Sequence, residues 1–160
     1  MEEECLYYYE TILGLIGIRA NDSAVTGILL RPQGFIDLRE NSLTKSMAQQ
    51  LREYLAGERR NFTVDISFKG TAFQQEVWRA LQTIPYGETR SYSQIAVSLG
   101  RPRACRAVGG ANHCNPLPIV IPCHRVIGRS GSLTGYAGGL ELKNRLLELE
   151  QKFRKKFFLF

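Results

Sequence analysis

The chain of 160 residues is long enough for one large or two small domains, and its 44% hydrophobic and 10% aromatic content is ordinary for a globular protein. No apolar stretch is long enough to cross a membrane, and the acidic start Met-Glu-Glu-Glu is unlike a secretory signal. We therefore expect an intracellular protein with no membrane partner, cytoplasmic or, in a eukaryote, nuclear. The net charge of +6 is uneven: residues 1–66 carry 7 Lys/Arg against 10 Asp/Glu, whereas residues 67–160 carry 14 against 5. A basic second half favours a polyanion partner, although a solvated basic face has the same composition.

Apolar segments separated by turn-forming residues fill the first part of the chain. This pattern predicts two or three antiparallel strands, at 6–10, 12–19 and 25–30. A helix is predicted over 43–55, and 35–38 allows one more strand. Phe62, Val64, Ile66 and Phe68 alternate with polar residues, which predicts a half-buried strand. Nothing here carries recognisable chemistry, so residues 1–68 are assigned to a small α+β scaffolding domain with an antiparallel sheet and a helix.

The second half, residues 69–160, is predicted to be mostly helical. Residues 71–74 and 91–94 both have the spacing of a capping box, which marks the start of a helix. A further helix is predicted from about 104 to 112, after the turn 101–103. Two short helices joined by a tight Gly/Pro turn outline a helix-turn-helix, here in a winged-helix-like domain, although many helical hairpins bind nothing. A last helix begins near Glu141, with apolar residues at helical spacing at Leu142, Leu146, Leu149 and Phe153.

Four cysteines and two histidines raise the questions of disulfides and metal binding. The cysteines at 105, 114 and 123 are nine residues apart and lack the close-spaced pairs that structural zinc sites use. Disulfides are disfavoured in a reducing compartment. We therefore expect Cys5, Cys105 and Cys114 to be free thiols and no metal to be bound, with a Cys/His metal cluster as the alternative.

The segment 115–125 places a thiol, Cys123, next to an imidazole, His124. Pro122 favours extended backbone at Ile121, and the short apolar, β-branched run 119–121 predicts a rigid segment buried in the core. A thiol reacts as its thiolate, and with a pKa of ~8.5 only a few per cent is ionised at neutral pH, so a proton acceptor is needed. Neighbouring side chains on a strand point to opposite faces, so the pair cooperates only if the chain turns there. A buried cysteine that serves only as a small hydrophobe is the simpler alternative.

The run Pro122-Cys123-His124-Arg125, preceded by Ile-Val-Ile and followed by Val-Ile-Gly, resembles the active-site signature of the O6-alkylguanine-DNA alkyltransferases. The resemblance extends over 73–150 and includes Arg106-Ala-Val-Gly-Gly-Ala, Asn115-Pro and Tyr136-Ala-Gly-Gly. It implies DNA repair by irreversible, stoichiometric transfer of the alkyl group from O6-alkylguanine in double-stranded DNA to Cys123, after the nucleotide is flipped out. It also implies a single-turnover monomer that needs no cofactor.

The resemblance assigns catalytic roles to four residues besides Cys123. His124 would accept the thiol proton through a bridging water, and Glu150 would orient the imidazole, although an exposed helical glutamate is the ordinary expectation. Asn115 would help to position the thiol, or simply cap a turn. Tyr92 would donate a proton to guanine N3 as negative charge develops on the base.

The resemblance also implies which residues contact the substrate and the DNA. The base would lie against Tyr136, Ala137, Val126 and Pro118. Ala137 stands where many relatives have serine, which removes a side-chain hydroxyl, and Thr134 is bulkier than the glycine of some relatives. Arg106, on the second helix of the pair, would fill the place of the flipped nucleotide. DNA contacts are expected from Arg101, Ser93, Arg103 and Arg129.

Two other functions fit parts of the sequence. A non-catalytic alkyltransferase-like DNA damage sensor would use the same helix-turn-helix, but such sensors lack the nucleophilic cysteine that is present here as Cys123. A cysteine hydrolase would use Cys123 and His124 on acyl substrates, but no oxyanion-hole motif accompanies them.

Overall fold

The computed structural model describes residues 3–132, 134–136 and 138–154, with the side chain of Ser130 left out. The chain divides into two compact units, Met1–Phe68 and Lys69–Phe160. The first is an α+β unit and the second is mostly helical, so the predicted fold class is confirmed.

From residue 3 onward, the first unit contains an antiparallel sheet of three strands in the order β1-β2-β3. These are β1 (Cys5–Thr11), β2 (Gly14–Ala20) and β3 (Val25–Leu29). The β1–β2 hairpin pairs Thr11 with Gly14, whose φ of +94° lies in the left-handed region that glycine tolerates best. The three predicted strands are therefore present.

The helix α1 (Ser42–Leu55) packs against this sheet. Met47, Leu51 and Tyr54 recur along one face and are at most 1% exposed, as are Ile16 and Ile18 of β2. Burying each such side chain contributes about 1.5–3 kcal/mol, and these side chains form the core of the unit.

Two predicted strands of the first unit do not form. Residues 35–38 are irregular, with Phe35 60% and Ile36 86% exposed, because no neighbouring strand pairs with their backbone. Residues 62–68 keep the predicted alternation of half-buried and exposed side chains. Only Ile66 pairs, in a single parallel bridge to Val25, so the segment follows the edge of the sheet without becoming a strand.

The described residues of the second unit form four α-helices and two very short parallel strands, besides two 3₁₀ turns. The elements, in chain order, are α2 (Ala72–Leu81), β4 (Arg90–Ser91), α3 (Tyr92–Ser98), α4 (Cys105–His113), β5 (Val126–Ile127) and α5 (Leu140–Phe153). Both predicted capping boxes are present, with Thr71 and Ser91 each accepting a backbone hydrogen bond at the third helical position. Such caps contribute about 1 kcal/mol each.

The helices α3 and α4 form the predicted helix-turn-helix pair. Gly100, with φ +71°, ends α3 and allows the reversal that leads through 101–104 into α4. Both helices also pack on α2, where the indole N–H of Trp78 donates to the carbonyl of Ala111 at 2.8 Å. α2 thus anchors the last turn of α4. Within the described residues, no helix is both long and apolar enough to cross a membrane.

Candidate active site

The segment that carries Cys123 contains the predicted buried residues Ile119 and Ile121, and its backbone is a series of tight turns. The amide of Ile121 donates to the carbonyl of Leu117 at 2.8 Å, and the amide of Cys123 donates to the carbonyl of Ile121 at 2.7 Å. Pro122, with φ −78° and ψ 63°, is the centre of this second turn and has the geometry of an inverse γ-turn. The prolines therefore bend the chain toward the thiol.

Ile119 adopts a backbone conformation that β-branched residues avoid, with φ +75°. Its side chain is 1% exposed and is flanked by the buried side chains of Leu117 and Ile121. Strain of this kind costs on the order of 1–3 kcal/mol and persists where the surrounding packing over-determines the backbone, often beside functional groups. Hydrophobic burial thus holds the turn in place.

A 3₁₀ turn, Cys123–Arg125, brings the thiol and the imidazole into one short helical segment. The turn on which cooperation of Cys123 and His124 depends is therefore present. Cys123 is 3% exposed and His124 is 0% exposed. The nucleophile candidate lies inside the protein, where solvent has little access to it.

The carboxylate of Glu150, on α5, receives donors from three sides. His124 Nε2 lies 2.7 Å from Glu150 Oε2, and Arg125 contacts both oxygens, through Nε at 2.8 Å and Nη2 at 2.9 Å. The backbone N–H of Gly87 donates to Oε1 at 3.0 Å. Glu150 is 1% exposed, so the ordinary expectation of a solvent-exposed helical glutamate is wrong here.

The protonation states of this cluster follow from its contacts. Burial alone would raise the pKa of Glu150, but the hydrogen bonds and charges of His124 and Arg125 outweigh it and hold that pKa well below its usual range. Burial lowers the pKa of His124, and the contact with Glu150 only partly offsets this. At neutral pH the site therefore contains a neutral imidazole beside a carboxylate.

The Cys123 thiol is protonated in the resting protein. Burial raises its pKa to about 11, while a hydrogen bond with Asn115 and the positive charge of Lys143 act in the opposite direction. The ionised fraction is thus far below the few per cent expected for an exposed thiol. The need for a proton acceptor is greater in the folded protein than the sequence alone indicated.

Asn115 fastens the turn that precedes the thiol. Its amide Nδ2 donates to the carbonyl of Ile121 at 2.8 Å, and its Oδ1 accepts from the amide of Leu117 at 2.9 Å. The side chain is 8% exposed. Asn115 therefore caps this turn and is tied to the backbone two residues before Cys123.

The side chains expected around the base are buried near the thiol segment. Tyr136 is 7% exposed, and burial followed by the neighbouring Cys123 thiol raises the pKa of its hydroxyl. Val126, on β5, is fully buried, and Pro118 is also buried. Ala137 lies outside the described residues.

Tyr92 is the first residue of α3, and its ring lies 3.9 Å from where a Cβ on Gly109 of α4 would be. Its hydroxyl is hydrogen-bonded to Oγ1 of Thr134. The Tyr92 ring therefore lies close to α4 at Gly109, at a distance at which even a Cβ would make only an ordinary van der Waals contact.

The residues expected to contact DNA are exposed on or near the helix pair. Arg106 is exposed in the first turn of α4, and Arg103 is exposed in the turn before that helix. Ser93 is exposed on α3, with Oγ 3.7 Å from the Cys105 sulfur. Arg101 already contacts Glu76 at 3.1 Å and lies over the ring of Phe73. Arg129 is exposed further along the chain, in the 3₁₀ turn Arg129–Gly131.

Two site residues were not predicted. Arg125 belongs to the recognised motif, yet its role as a clamp on Glu150 was not foreseen. Lys143 is 0% exposed on α5, whose buried positions are Lys143, Leu146 and Glu150. The predicted apolar face through Leu142 and Leu149 is only half-buried. A lysine seven positions before Glu150 lies on the same helical face, and this spacing was the available signal.

All four cysteines are free thiols. Among the described residues, no group of three or more His, Cys, Asp or Glu side chains could hold a metal ion.

Comparison with known proteins agrees with this geometry. The family described as 6-O-methylguanine DNA methyltransferase, DNA binding domain, matches residues 72–152. The constitutive methylated-DNA–protein-cysteine methyltransferase of Bacillus subtilis is 48% identical over 152 residues, which cover 89% of this chain and 92% of that protein. The methylated-DNA–protein-cysteine methyltransferase of Mycolicibacterium paratuberculosis is also 48% identical, over 90% of this chain and 92% of its own.

Solved structures give the same result. The crystal structure of Mycobacterium tuberculosis O6-methylguanine methyltransferase superposes with a TM-score of 0.86 at 42% identity, covering 94% of both chains. Mycobacterium tuberculosis OGT in complex with DNA superposes with a TM-score of 0.85 at 44% identity, covering 92% of this chain and 93% of that one. The fold and these matches define the class of protein, a DNA-repair methyltransferase that acts on methylated DNA and a protein cysteine. The chain belongs to the methylated-DNA–protein-cysteine methyltransferase family.

Proposed function

We propose that this protein repairs DNA by transferring the alkyl group of O6-alkylguanine to the sulfur of Cys123, once per molecule. The observation that carries the proposal is the buried cluster in which Cys123 immediately precedes a neutral imidazole whose Nε2 is 2.7 Å from Glu150. Family membership supplies the substrate class, because the relatives are named for methylated DNA and a protein cysteine.

The first step is removal of the thiol proton. With a pKa of about 11, Cys123 needs an acceptor nearby, and His124 is available because burial keeps its imidazole neutral. The proton passes to His124, through a water molecule, and the carboxylate of Glu150 stabilises the imidazolium that forms. Arg125 keeps Glu150 ionised and fixed in direction.

The second step is displacement at the alkyl carbon. The sulfur of Cys123 forms a C–S bond as the O6–C bond breaks, and the electron pair of that bond moves onto guanine. Tyr92 donates a proton to guanine N3 as this charge develops, which is general-acid catalysis. The thioether is chemically stable and the cluster has no group suited to cleave it, so transfer is irreversible.

The base reaches this site only when it leaves the duplex. O6 of a stacked, paired guanine is inaccessible to a buried thiol, so the nucleotide is flipped at a cost of a few kcal/mol. Arg106 is exposed on α4 and is suited to fill the gap in the stack. Tyr136, Val126 and Pro118 form the walls that contact the flipped base, with Ala137 as a further contact.

Affinity for the undamaged parts of the DNA comes from phosphate contacts. Arg101, Arg103, Arg129 and Ser93 supply these contacts, which makes binding dependent on salt and largely independent of sequence. Arg101 must exchange its contact with Glu76 for a phosphate. We further propose that the protein acts as a monomer, in the intracellular compartment that contains DNA.

The direct test is intact-protein mass spectrometry after mixing the protein with a duplex that contains one O6-methylguanine. The expected result is a gain of one methyl group per molecule, mapped to Cys123 and absent from Cys123→Ala. Cys105→Ala is a matched control, because Cys105 is a free thiol on the DNA-binding helix, and it should still gain the methyl group.

The alternative of a non-catalytic damage sensor is addressed by the same experiment. Binding to the damaged duplex without any change in mass would support the sensor and overturn the proposal. The presence of Cys123 in a cluster that can take up its proton favours transfer.

A further inference from the structure

A buried lysine and a tyrosine of the proposed site meet at a single threonine. Lys143, on α5, is 0% exposed, and its Nζ donates to the carbonyl of Thr134 at 3.1 Å and contacts Thr134 Oγ1 at 3.5 Å. On the other side, Thr134 Oγ1 is hydrogen-bonded to the hydroxyl of Tyr92. The side chains therefore form a continuous polar chain from α5 to the start of α3.

The donors and acceptors of Lys143, Thr134 and Tyr92 determine the direction in which the hydrogen bonds between them run. A lysine ammonium has only donors, so Thr134 Oγ1 must accept from Lys143. A hydroxyl also has one proton of its own, which Thr134 can offer to the oxygen of Tyr92. The proton of Tyr92 is then free to point away from Thr134 and toward the flipped base.

Lys143 is suited to supply a proton at this place. Burial lowers the pKa of its ammonium, while the neighbouring Cys123 raises it, so the buried cation is held next to the nucleophile at some cost. Its positive charge acts on both Cys123 and His124. When guanine leaves with an extra electron pair, loss of the lysine proton relieves the cost of keeping a charge in this environment.

We propose that Thr134 is a positioning residue that connects Lys143 to Tyr92 and lets the lysine restore the proton that Tyr92 gives to the leaving guanine. This inference rests on the proposed function and deepens it, because it identifies the proton source behind the general acid. The hydroxyl of Thr134, and not its bulk, is the part that acts.

The proton transfers balance within the site. The Cys123 proton moves to His124, the C–S bond forms and the O6–C bond breaks, with the electron pair going to guanine. Guanine N3 takes the proton of Tyr92, Tyr92 takes that of Thr134, and Thr134 takes one from Lys143. The products are the thioether, a protonated His124, a neutral Lys143 and an uncharged guanine.

The test compares Thr134→Val, which keeps the shape and removes the hydroxyl, with Thr134→Ser, which keeps the hydroxyl. Each is measured as the single-turnover rate of methyl transfer from a saturating duplex. We expect Thr134→Val to be slower on the order of ten-fold, a part of the 10²–10⁴ that a general acid contributes. Thr134→Ser should stay within about two-fold of the original rate. Equal rates for Thr134→Val and the original protein would overturn the proposal.

A second substrate separates the proton path from a role in packing. In 3-deaza-O6-methylguanine a C–H replaces N3, so no proton can be received there. The wild-type protein should transfer the methyl group more slowly from this substrate than from O6-methylguanine. On this substrate Thr134→Val should cause no further loss of rate. If Thr134→Val lowers the rates on both substrates by the same factor, Thr134 shapes the pocket and the proposal is wrong.

Failure of this inference can be told apart from failure of the proposed function. If the original protein transfers no methyl group to Cys123, the function itself is wrong, whatever Thr134 does. Affinity for the duplex, measured separately by fluorescence anisotropy, should be unchanged in both variants, which shows that they are folded. A loss confined to duplex affinity, with transfer at saturation unaltered, would also overturn the proton path.

Discussion

His124 and Glu150 are 26 positions apart in the chain and meet through a contact of 2.7 Å between Nε2 and Oε2, with both side chains at most 1% exposed. Arg125 holds the same carboxylate through two nitrogens, and the Gly87 amide donates to it as well. The charge and direction of the carboxylate are therefore fixed before any substrate arrives, which is the arrangement that electrostatic stabilisation requires.

Removing the charge of Glu150 should weaken both the fold and the reaction. In Glu150→Gln the buried guanidinium of Arg125 loses its counter-charge, and breaking a buried pair in this way costs about 3–5 kcal/mol. We expect the free energy of unfolding in urea to fall by about 3 kcal/mol and the rate of transfer to fall as well.

The matched control is Glu148→Gln, because Glu148 is exposed on the same helix. It should change the free energy of unfolding by no more than about 0.5 kcal/mol. Equal stability of the two variants would contradict the clamp on Glu150.

The contacts of Glu150 with His124 and Arg125 also predict how the free energy of unfolding depends on pH. The folded-state pKa of Glu150 lies well below its ordinary value of 4.5, so its contribution is fully present above pH 4.5 and is lost as the pH falls below that value. The difference in unfolding free energy between the original protein and Glu150→Gln should narrow by up to about 1.4 kcal/mol per pH unit in that range. Urea titrations at several pH values measure it, and a difference that stays constant down to strong acid would rule the linkage out.

Replacing the buried ammonium by an apolar group should make the thiol less acidic. The charge of Lys143 lowers the pKa of Cys123, so Lys143→Met should raise that pKa further above about 11. The rate of alkylation of Cys123 by iodoacetamide should then fall several-fold at each pH near neutrality, in proportion to the thiolate fraction. Lys152→Met, at the exposed end of the same helix, should leave the rate unchanged. Faster alkylation in Lys143→Met would refute the assignment.

Replacing Arg106 should slow methyl transfer most on substrates whose nucleotide must be flipped out of a paired stack. Arg106→Ala should slow transfer from a duplex by roughly ten-fold or more, since the gap in the stack is worth a few kcal/mol. Transfer from a single strand should change much less, because that strand has no paired stack to fill. Single-turnover rates on the two substrates give the ratio, and Lys45→Ala, an exposed cation of α1 in the first unit, is the charge-matched control. An equal decrease in the transfer rate on both substrates would show that Arg106 only contacts phosphate and does not fill the gap in the stack.

Asn115 should be required for the position of the thiol. Asn115→Ala removes two buried hydrogen bonds, to Ile121 and from Leu117. The amide of Leu117 then loses its acceptor, while the carbonyl of Ile121 keeps only the bond from the amide of Cys123. Unfolding free energy should drop by about 2–3 kcal/mol, and transfer at saturating DNA should slow. Asn144→Ala, at an exposed position of α5, should do neither. A stable Asn115→Ala variant with a normal transfer rate would show that the turn before Cys123 does not need the Asn115 side chain.

Local patterns were sufficient to predict much of the fold. Capping boxes at Thr71 and Ser91, the glycine after α3 and the spacing of Met47, Leu51 and Tyr54 depend on interactions within a few residues. They therefore predicted the helices to within one or two residues. Two strand predictions were wrong, because a strand forms only where a second backbone segment pairs with it. Residues 35–38 have no such pairing, and residues 62–68 have only the bridge at Ile66.

The sequence by itself determined the chemistry available near Cys123, because the adjacent residues and the motif around them are linear information. Only the tertiary structure decided how that chemistry is poised. Packing buries the thiol of Cys123 and raises its pKa to about 11, and it brings the carboxylate of Glu150 into contact with the imidazole of His124. It also turns a helical lysine into a buried cation that contacts Thr134. These effects depend on desolvation and on contacts between residues far apart in the chain, and neither has a local sequence pattern.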